Sequence, residues 1–190
     1  RSGGPGSGLY RTLDGGASWT RLDDSHGLPA GELGRIGIAI APSDPQRVYA
    51  LVEAEQSVLL RSDDGGFRFR VVDDGEDVNP RPFYYCDLRV DPQDANRLYR
   101  LQTVVDVSED GGRTFRTLAG WDAAHPDHHA MWIDPLDPKR ILIGNDGGVY
   151  HTTDRGSSWR FCGNLPLAQF YHVAVDDQVP YHVYGGLQDN

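Results

Sequence analysis

The stretch HPDHHAMWIDP, His125 to Pro135, crowds three histidines and an aspartate into its first five residues. Imidazoles beside a carboxylate can ligate a transition ion at about 2 Å, move protons near neutral pH, or simply hold a loop through hydrogen bonds. Successive side chains of an extended chain point to opposite faces, so only one of His128 and His129 can join a given site. Asp-His-His also matches none of the compact zinc spacings. The expectation is a site without a bound metal, in which His129 contacts a neighbouring loop or a ligand.

Carboxylates offer a second chemistry. Cleavage of a glycosidic bond needs an acid and a base or nucleophile about 5 to 9.5 Å apart. Asp87, Asp127, Asp146 and Asp189 are the candidates, and Asp146 with Asp189 is the favoured pair. Asp146 lies in GNDGG, where flanking glycines let a substrate come close. The same five residues also read as a turn in which Asn145 and Asp146 serve only the backbone. Flat rings offer a third: Phe83, Tyr84, Tyr85, Trp121, Phe170 and Tyr171 could stack on a sugar face or anchor a peptide. Tyr84 and Tyr171 are the expected exposed pair. With His129, His172 and Asn145 they make up the candidate ligand-binding set.

A repeat decides what must position these residues. TLDGGASW from Thr12, SDDGGFRF from Ser62, SEDGGRTF from Ser108 and TTDRGSSW from Thr152 share one frame. It runs hydroxyl, Asp two later, Gly four later, then a closing aromatic. The anchoring Asp14, Asp64, Asp110 and Asp154 are 50, 46 and 44 residues apart. A second phrase travels with it: IAPSDPQRVYA, RVDPQDANRLYR and WIDPLDPKRILI. A period in the forties with strand-like content predicts propeller blades of four antiparallel strands. In each frame Asp accepts backbone N–H groups, Gly supplies a positive φ, and the aromatic returns the chain to the apolar layer. The four aspartates therefore read as structural. Pro42, Pro92 and Pro135 end inner strands at what is expected to be the opposite turn of the same blade.

These four phrases resemble the Asp-box, or BNR repeat, of sialidases, xyloglucan-degrading glycosidases, sortilin-type receptor domains and a photosystem II assembly factor. GGPGSGLYRTLDGG, DHHAMWIDP, GNDGGVY and YGGLQDN further resemble secreted bacterial propeller proteins of sortilin-like or glycosidase-like type, over essentially the whole chain. Arg68 departs from the usual Ser or Thr, and Arg155 stands where the other frames have Gly. The resemblance implies an all-β propeller, export from the cell as a secreted or periplasmic protein, and a parent ring of seven or more blades. A sialidase would need an arginine triad and a tyrosine paired with a glutamate, but only Arg35 is suitably placed. A xyloglucanase-like activity stays open.

Blade by blade, the expectation is a half blade over 1–30, blades over 31–82, 83–127 and 128–169, and a half blade over 170–190. Inner strands fall near Ile36–Ala41, Leu88–Val90 and Met131–Asp134. Loops entering the inner strands then share one end, the top, with the links between second and third strands. This arrangement puts His128 and His129 on one surface with Asp146, His172 and Asp189.

Composition sets the outer limits. The chain has 190 residues, 23 glycines and 12 prolines, which fits many tight turns and one folded unit. Net charge is -10, from 28 acidic and 18 basic residues. No basic stripe exists to displace counterions, so nucleic acid is not an expected partner. The longest apolar run, IGIAIA, is too short to span a bilayer. RSGGPGSG carries neither methionine nor an apolar core, so it reads as beginning mid-protein. Cys86 and Cys162 form no disulfide framework or metal spacing and read as ordinary thiols. No motif calls for a cofactor. The favoured function is a non-catalytic scaffold or binding propeller that presents its top to protein or glycan, the alternative being a glycoside hydrolase. Expected partners are the remaining blades of a parent chain or a partner subunit, together with that glycan or protein ligand.

Overall fold

Short runs rich in Val, Ile, Leu and Tyr, many of them ended by Gly, Pro or Asp, satisfy their backbone by pairing with a neighbouring strand. The computed structural model describes residues 3–165 and 170–187, with backbone alone at residues 170, 171 and 187. There the runs pair in chain order as antiparallel sheets. β1 (Leu9–Arg11) pairs with β2 (Thr20–Leu22). Three four-stranded sheets follow: β3 (Ile36–Ala41), β4 (Asp44–Val52), β5 (Val58–Ser62) and β6 (Arg70–Asp73); β7 (Asp87–Asp91), β8 (Asp94–Leu101), β9 (Val105–Ser108) and β10 (Arg116–Ala119); then β11 (His128–Ile133), β12 (Ile141–Asn145), β13 (Gly148–Thr152) and β14 (Arg160–Phe161). β15 (Phe170–Val175) and β16 (Val183–Leu187) form a last hairpin. It pairs with neither β1 nor β2, so the two end sheets do not join as one blade. A 3-10 turn at Asp24–His26 is the helical element among the described residues.

Side-chain alternation explains why these sheets stack. Along β4, Val48, Ala50 and Val52 pack with Leu9, Leu22, Leu60 and Phe69 on one side. Tyr49 and Leu51, pointing the other way, pack with Leu59, Leu88, Val90 and Leu98. One blade on, Tyr99 and Leu101 face Val105, Val107, Met131, Ile141 and Ile143. Each central strand thus feeds two cores. Burying one Val or Leu side chain contributes roughly 1.5–3 kcal/mol, so the contacts between sheets dominate the stability of the stack. Cys86 lies in the second core, where burial pushes its thiol up to about 11, and both cysteines are free.

The repeated frame makes the same turn four times. Thr12, Ser62, Ser108 and Thr152 each donate a hydroxyl to the aspartate two residues on, at 2.6–2.8 Å. Each hydroxyl oxygen also accepts the N–H of Gly16, Gly66, Gly112 or Gly156, at 2.9–3.1 Å. The aspartate in turn accepts the N–H four residues later, at 2.9–3.0 Å. The carboxylates are consumed by their own turns and lie at the end of each sheet away from His129. The turns at Pro42, Pro92 and Pro135 lie at that same end rather than opposite it, because each first strand runs toward that end before it pairs with the second.

Candidate functional site

The first strand of the third sheet settles which histidine is available. Met131 and Ile133 stand opposite Ile143 and Ile141, and these residues line the core shared with the preceding sheet. Strict alternation from Met131 would send His129 into that core and leave His128 outside. The register instead shifts between His128 and Ala130, so that His128 stands opposite Asn145 and the two histidines exchange faces. His128 is 1% exposed, while the His129 side chain is 44% exposed. The expectation that both share the top surface is thus corrected: strand β11 already begins at His128, and that residue is inside.

Burial presses the His128 ring toward its neutral form, down to about 4, and the neighbouring His129 and His125 act in the same direction against Asp127. Neither ring nitrogen of His128 has a hydrogen-bond partner among the described residues, nor has Asn145 Nδ2 or Gln102 Nε2. The backbone N–H of His128 is donated to the carbonyl of Gln102.

Residues 146 and 147 link β12 to β13. Within GNDGG the labour divides: Asn145 Oδ1 accepts the Gly147 N–H at 3.0 Å, so Asn145 serves the backbone. Asp146 does not. Its Oδ1 meets His129 Nε2 at 3.1 Å, and its side chain is 46% exposed. Gly147 has to be glycine, since a Cβ there would come within 2.4 Å of His125 Cβ.

Rings from the loop that enters the preceding sheet close around this pair. His129 stacks on Tyr85 with centroids 5.7 Å apart and planes at 26°, and meets Tyr84 edge-on at 5.8 Å. The Tyr85 hydroxyl donates to Asp127, a residue in the left-handed region at φ 64°. Burial and the Asp127 carboxylate together push the Tyr85 phenol well above the usual tyrosine range, so it remains a donor. The Arg81 guanidinium lies 5.2 and 5.3 Å from the centres of the Tyr84 and Tyr85 rings. It also approaches Asp127 at 4.0 Å.

The sequence candidates therefore sort as follows. Tyr84, His129 and Asp146 come together. Asp127 is engaged by Tyr85, and Asp87 by Arg89. Arg35 spends its Nη1 on the carbonyls of Phe83 and Tyr84. His172 lies on β15 opposite Gly186, in a separate hairpin. An open depression of about 640 Å³ runs over that hairpin, but it lies away from the His129–Asp146 pair. Asp189 and the side chain of Tyr171 lie outside the described residues. Arg81 and the inward turn of Tyr85 are what sequence reasoning missed. FYY marks three aromatics but not which ring will turn toward a histidine 44 residues later.

No family model matches the chain. The oligoxyloglucan-reducing end-specific xyloglucanase of Emericella nidulans is 27% identical over 183 residues, covering 84% of this chain and 22% of that protein. The xyloglucanase of Hypocrea jecorina is 28% identical over 214 residues, covering 88% of this chain and 25% of that protein. The chain thus spans about a quarter or less of the curated relatives it matches. Among solved structures, the GH74 xyloglucanase from Xanthomonas campestris superposes with a TM-score of 0.68 at 21% identity, over 88% of this chain and 29% of that one. This likeness is one of fold: the four-stranded sheets are propeller blades.

Proposed function

We propose that the chain forms part of the working face of a glycoside hydrolase acting on a xyloglucan-type polysaccharide. The observation that carries this reading is Asp146: a half-exposed carboxylate that takes no backbone N–H among the described residues, fixed by His129 beside Tyr84 and Tyr85. A carboxylate engaged only in a turn would bond its own backbone, as the four repeated aspartates do. The xyloglucanase relatives support the same reading. Tyr84 would offer a ring to a sugar face. We assign the rest of the substrate groove to further blades of the parent chain or a partner subunit. A polymer too large to enter a cell supports a secreted or periplasmic parent.

A second reading is a binding face without catalysis. It is favoured by the carboxylates already engaged, Asp127 by Tyr85 and Asp87 by Arg89. The test is a polysaccharide-cleavage and glycan-binding screen on the full-length protein, repeated with Asp146→Asn. The expected outcome is wild-type cleavage that falls at least about 100-fold in the variant, with the fold intact. Binding without cleavage would establish the second reading instead.

A further inference from the structure

The fold imposes Gly147, since a Cβ there would come within 2.4 Å of His125 Cβ. The half-exposed Asp146 is therefore followed by the one residue whose amide nitrogen no side chain shields. In such an Asp–Gly pair that nitrogen can attack the aspartate's own carboxyl carbon. The chain holds five of these pairs: Asp14–Gly15, Asp64–Gly65, Asp74–Gly75, Asp110–Gly111 and Asp146–Gly147. At Asp64 and Asp110 the repeated turn holds both reacting groups. Each carboxylate accepts the N–H groups three and four residues later, and the N–H of Gly65 or Gly111 is donated at 2.9 Å to the carbonyl of Gln46 or Asn96. Asp146 has no such turn. Two side chains hold its reacting groups instead: Asn145 Oδ1 accepts the Gly147 N–H at 3.0 Å, and His129 Nε2 meets the carboxylate at 3.1 Å. Asp74 has only the first of these restraints. Asp73 Oδ1 accepts the Gly75 N–H at 3.0 Å, while the exposed Asp74 carboxylate takes no hydrogen bond among the described residues.

We propose that Asp146–Gly147 is a site of aspartyl isomerisation, and that Asn145 and His129 together hold it in check. In the reaction the Gly147 nitrogen bonds to Cγ of Asp146, and the amide hydrogen leaves with the carboxyl hydroxyl as water. A water then adds to the main-chain carbonyl carbon of Asp146 and breaks that carbon's bond to the Gly147 nitrogen, which takes up the second hydrogen of the water. The composition is unchanged. The chain now runs through Cβ and Cγ, one carbon longer, and the free carboxylate sits on Cα. In a link of residues 146 and 147 between β12 and β13, the extra carbon moves that carboxylate off His129. This chemistry is independent of what the site binds.

The test incubates the full-length protein in warm, neutral buffer made from water labelled in its oxygen. Each ring opening leaves one labelled oxygen on the aspartate, which peptide mass mapping locates. In the wild type, Asp146 takes up label more slowly than Asp74. Asn145→Ala frees the Gly147 N–H, and His129→Phe frees the carboxylate while keeping a ring against Tyr85. Each variant raises uptake at Asp146 by about three- to tenfold, the effect of losing one hydrogen bond on a reacting group. Asp64 and Asp110 are internal controls, because a variant that simply opens its fold exposes every pair alike. A rise at Asp146 alone supports the assignment. Uptake at Asp146 that stays unchanged in either variant, rises only in step with Asp64 and Asp110, or already equals that of Asp74 in the wild type overturns it.

Discussion

At the residue scale, His128 and His129 are chemically identical neighbours that the fold separates completely. One is buried with both ring nitrogens unpaired among the described residues, and the other faces solvent on Asp146. The buried ring has a consequence for stability. Its titration is lowered from 6.5 to about 4, so between those values the unfolded chain binds a proton that the folded chain refuses. Stability therefore falls as pH drops from about 6.5 toward 4. His128→Leu removes both the titration and the unpaired nitrogens while keeping an apolar side chain of useful size. Urea midpoints measured from pH 7 to 4.5 are expected to decline for the wild type and to stay nearly flat for His128→Leu. An equal decline in both would mean that His128 is not the group responsible.

At the element scale, the fourth repeated turn breaks the pattern with Arg155, and the structure supplies the reason. Arg155 takes the left-handed conformation that Gly111 takes in the third turn, with φ 62° against 75°. A side chain at Gly111 would crowd its neighbour, since a Cβ there would lie 2.5 Å from Arg61 Nη1 and the guanidinium would have to shift. One blade later the residue matching Arg61 is Val107, which carries no guanidinium. Arg155 reaches back across the blade junction and places Nη2 3.3 Å from Oδ2 of Asp91, a residue with no exposed surface. Arg97 stands at 4.0 Å from the same oxygen. Removing a partner from a buried carboxylate costs about 3–5 kcal/mol, while glycine would regain about 1–2 kcal/mol of left-handed strain. Arg155→Gly should therefore lose about 2 kcal/mol, or roughly 4–8 °C in Tm. A melting scan showing no loss would mean that Arg97 alone satisfies Asp91.

At the scale of the whole molecule, the four turns act as a distributed set of acid-sensitive staples. Asp14 and Asp154 are lowered to about 2, mainly by the hydroxyls of Ser18 and Ser158. For Asp110 burial pushes upward, but Thr114 and Ser108 outweigh it and bring the group to about 2 as well. Asp64 is lowered by the N–H of Arg68 and the hydroxyl of Ser62. A depressed carboxylate contributes its stability above the unfolded value of 3.8 and loses it as pH falls toward the folded value. Each turn belongs to a different sheet, so the blades should loosen together between pH about 4 and 2. Circular dichroism across that range is expected to show one transition, and Asp110→Asn should shift it toward higher pH. A transition complete well above pH 4 would mean that groups other than these turns govern acid unfolding.

What the amino-acid order determined by itself is the repeating part. Turn chemistry is local, so a hydroxyl, an aspartate and a glycine at fixed spacing are enough to specify each hairpin, and alternating apolar residues specify the strands between them. The inner strands near residues 36, 88 and 131 and the end hairpins are legible in the same way, because pairing in chain order needs only short connections. The top-end loops were legible as places but not as contacts. Only the tertiary structure decided that His129 rather than His128 faces outward, that Asp146 is free of its own backbone where Asn145 is not, and that Tyr85 turns in beneath the imidazole. Each of those outcomes depends on a strand register or on a neighbouring blade. A slip of one residue between His128 and Ala130 reverses which side chain is buried. No local rule foretells that slip, because the energy that selects it comes from Met131, Ile141 and Ile143 packing against another sheet.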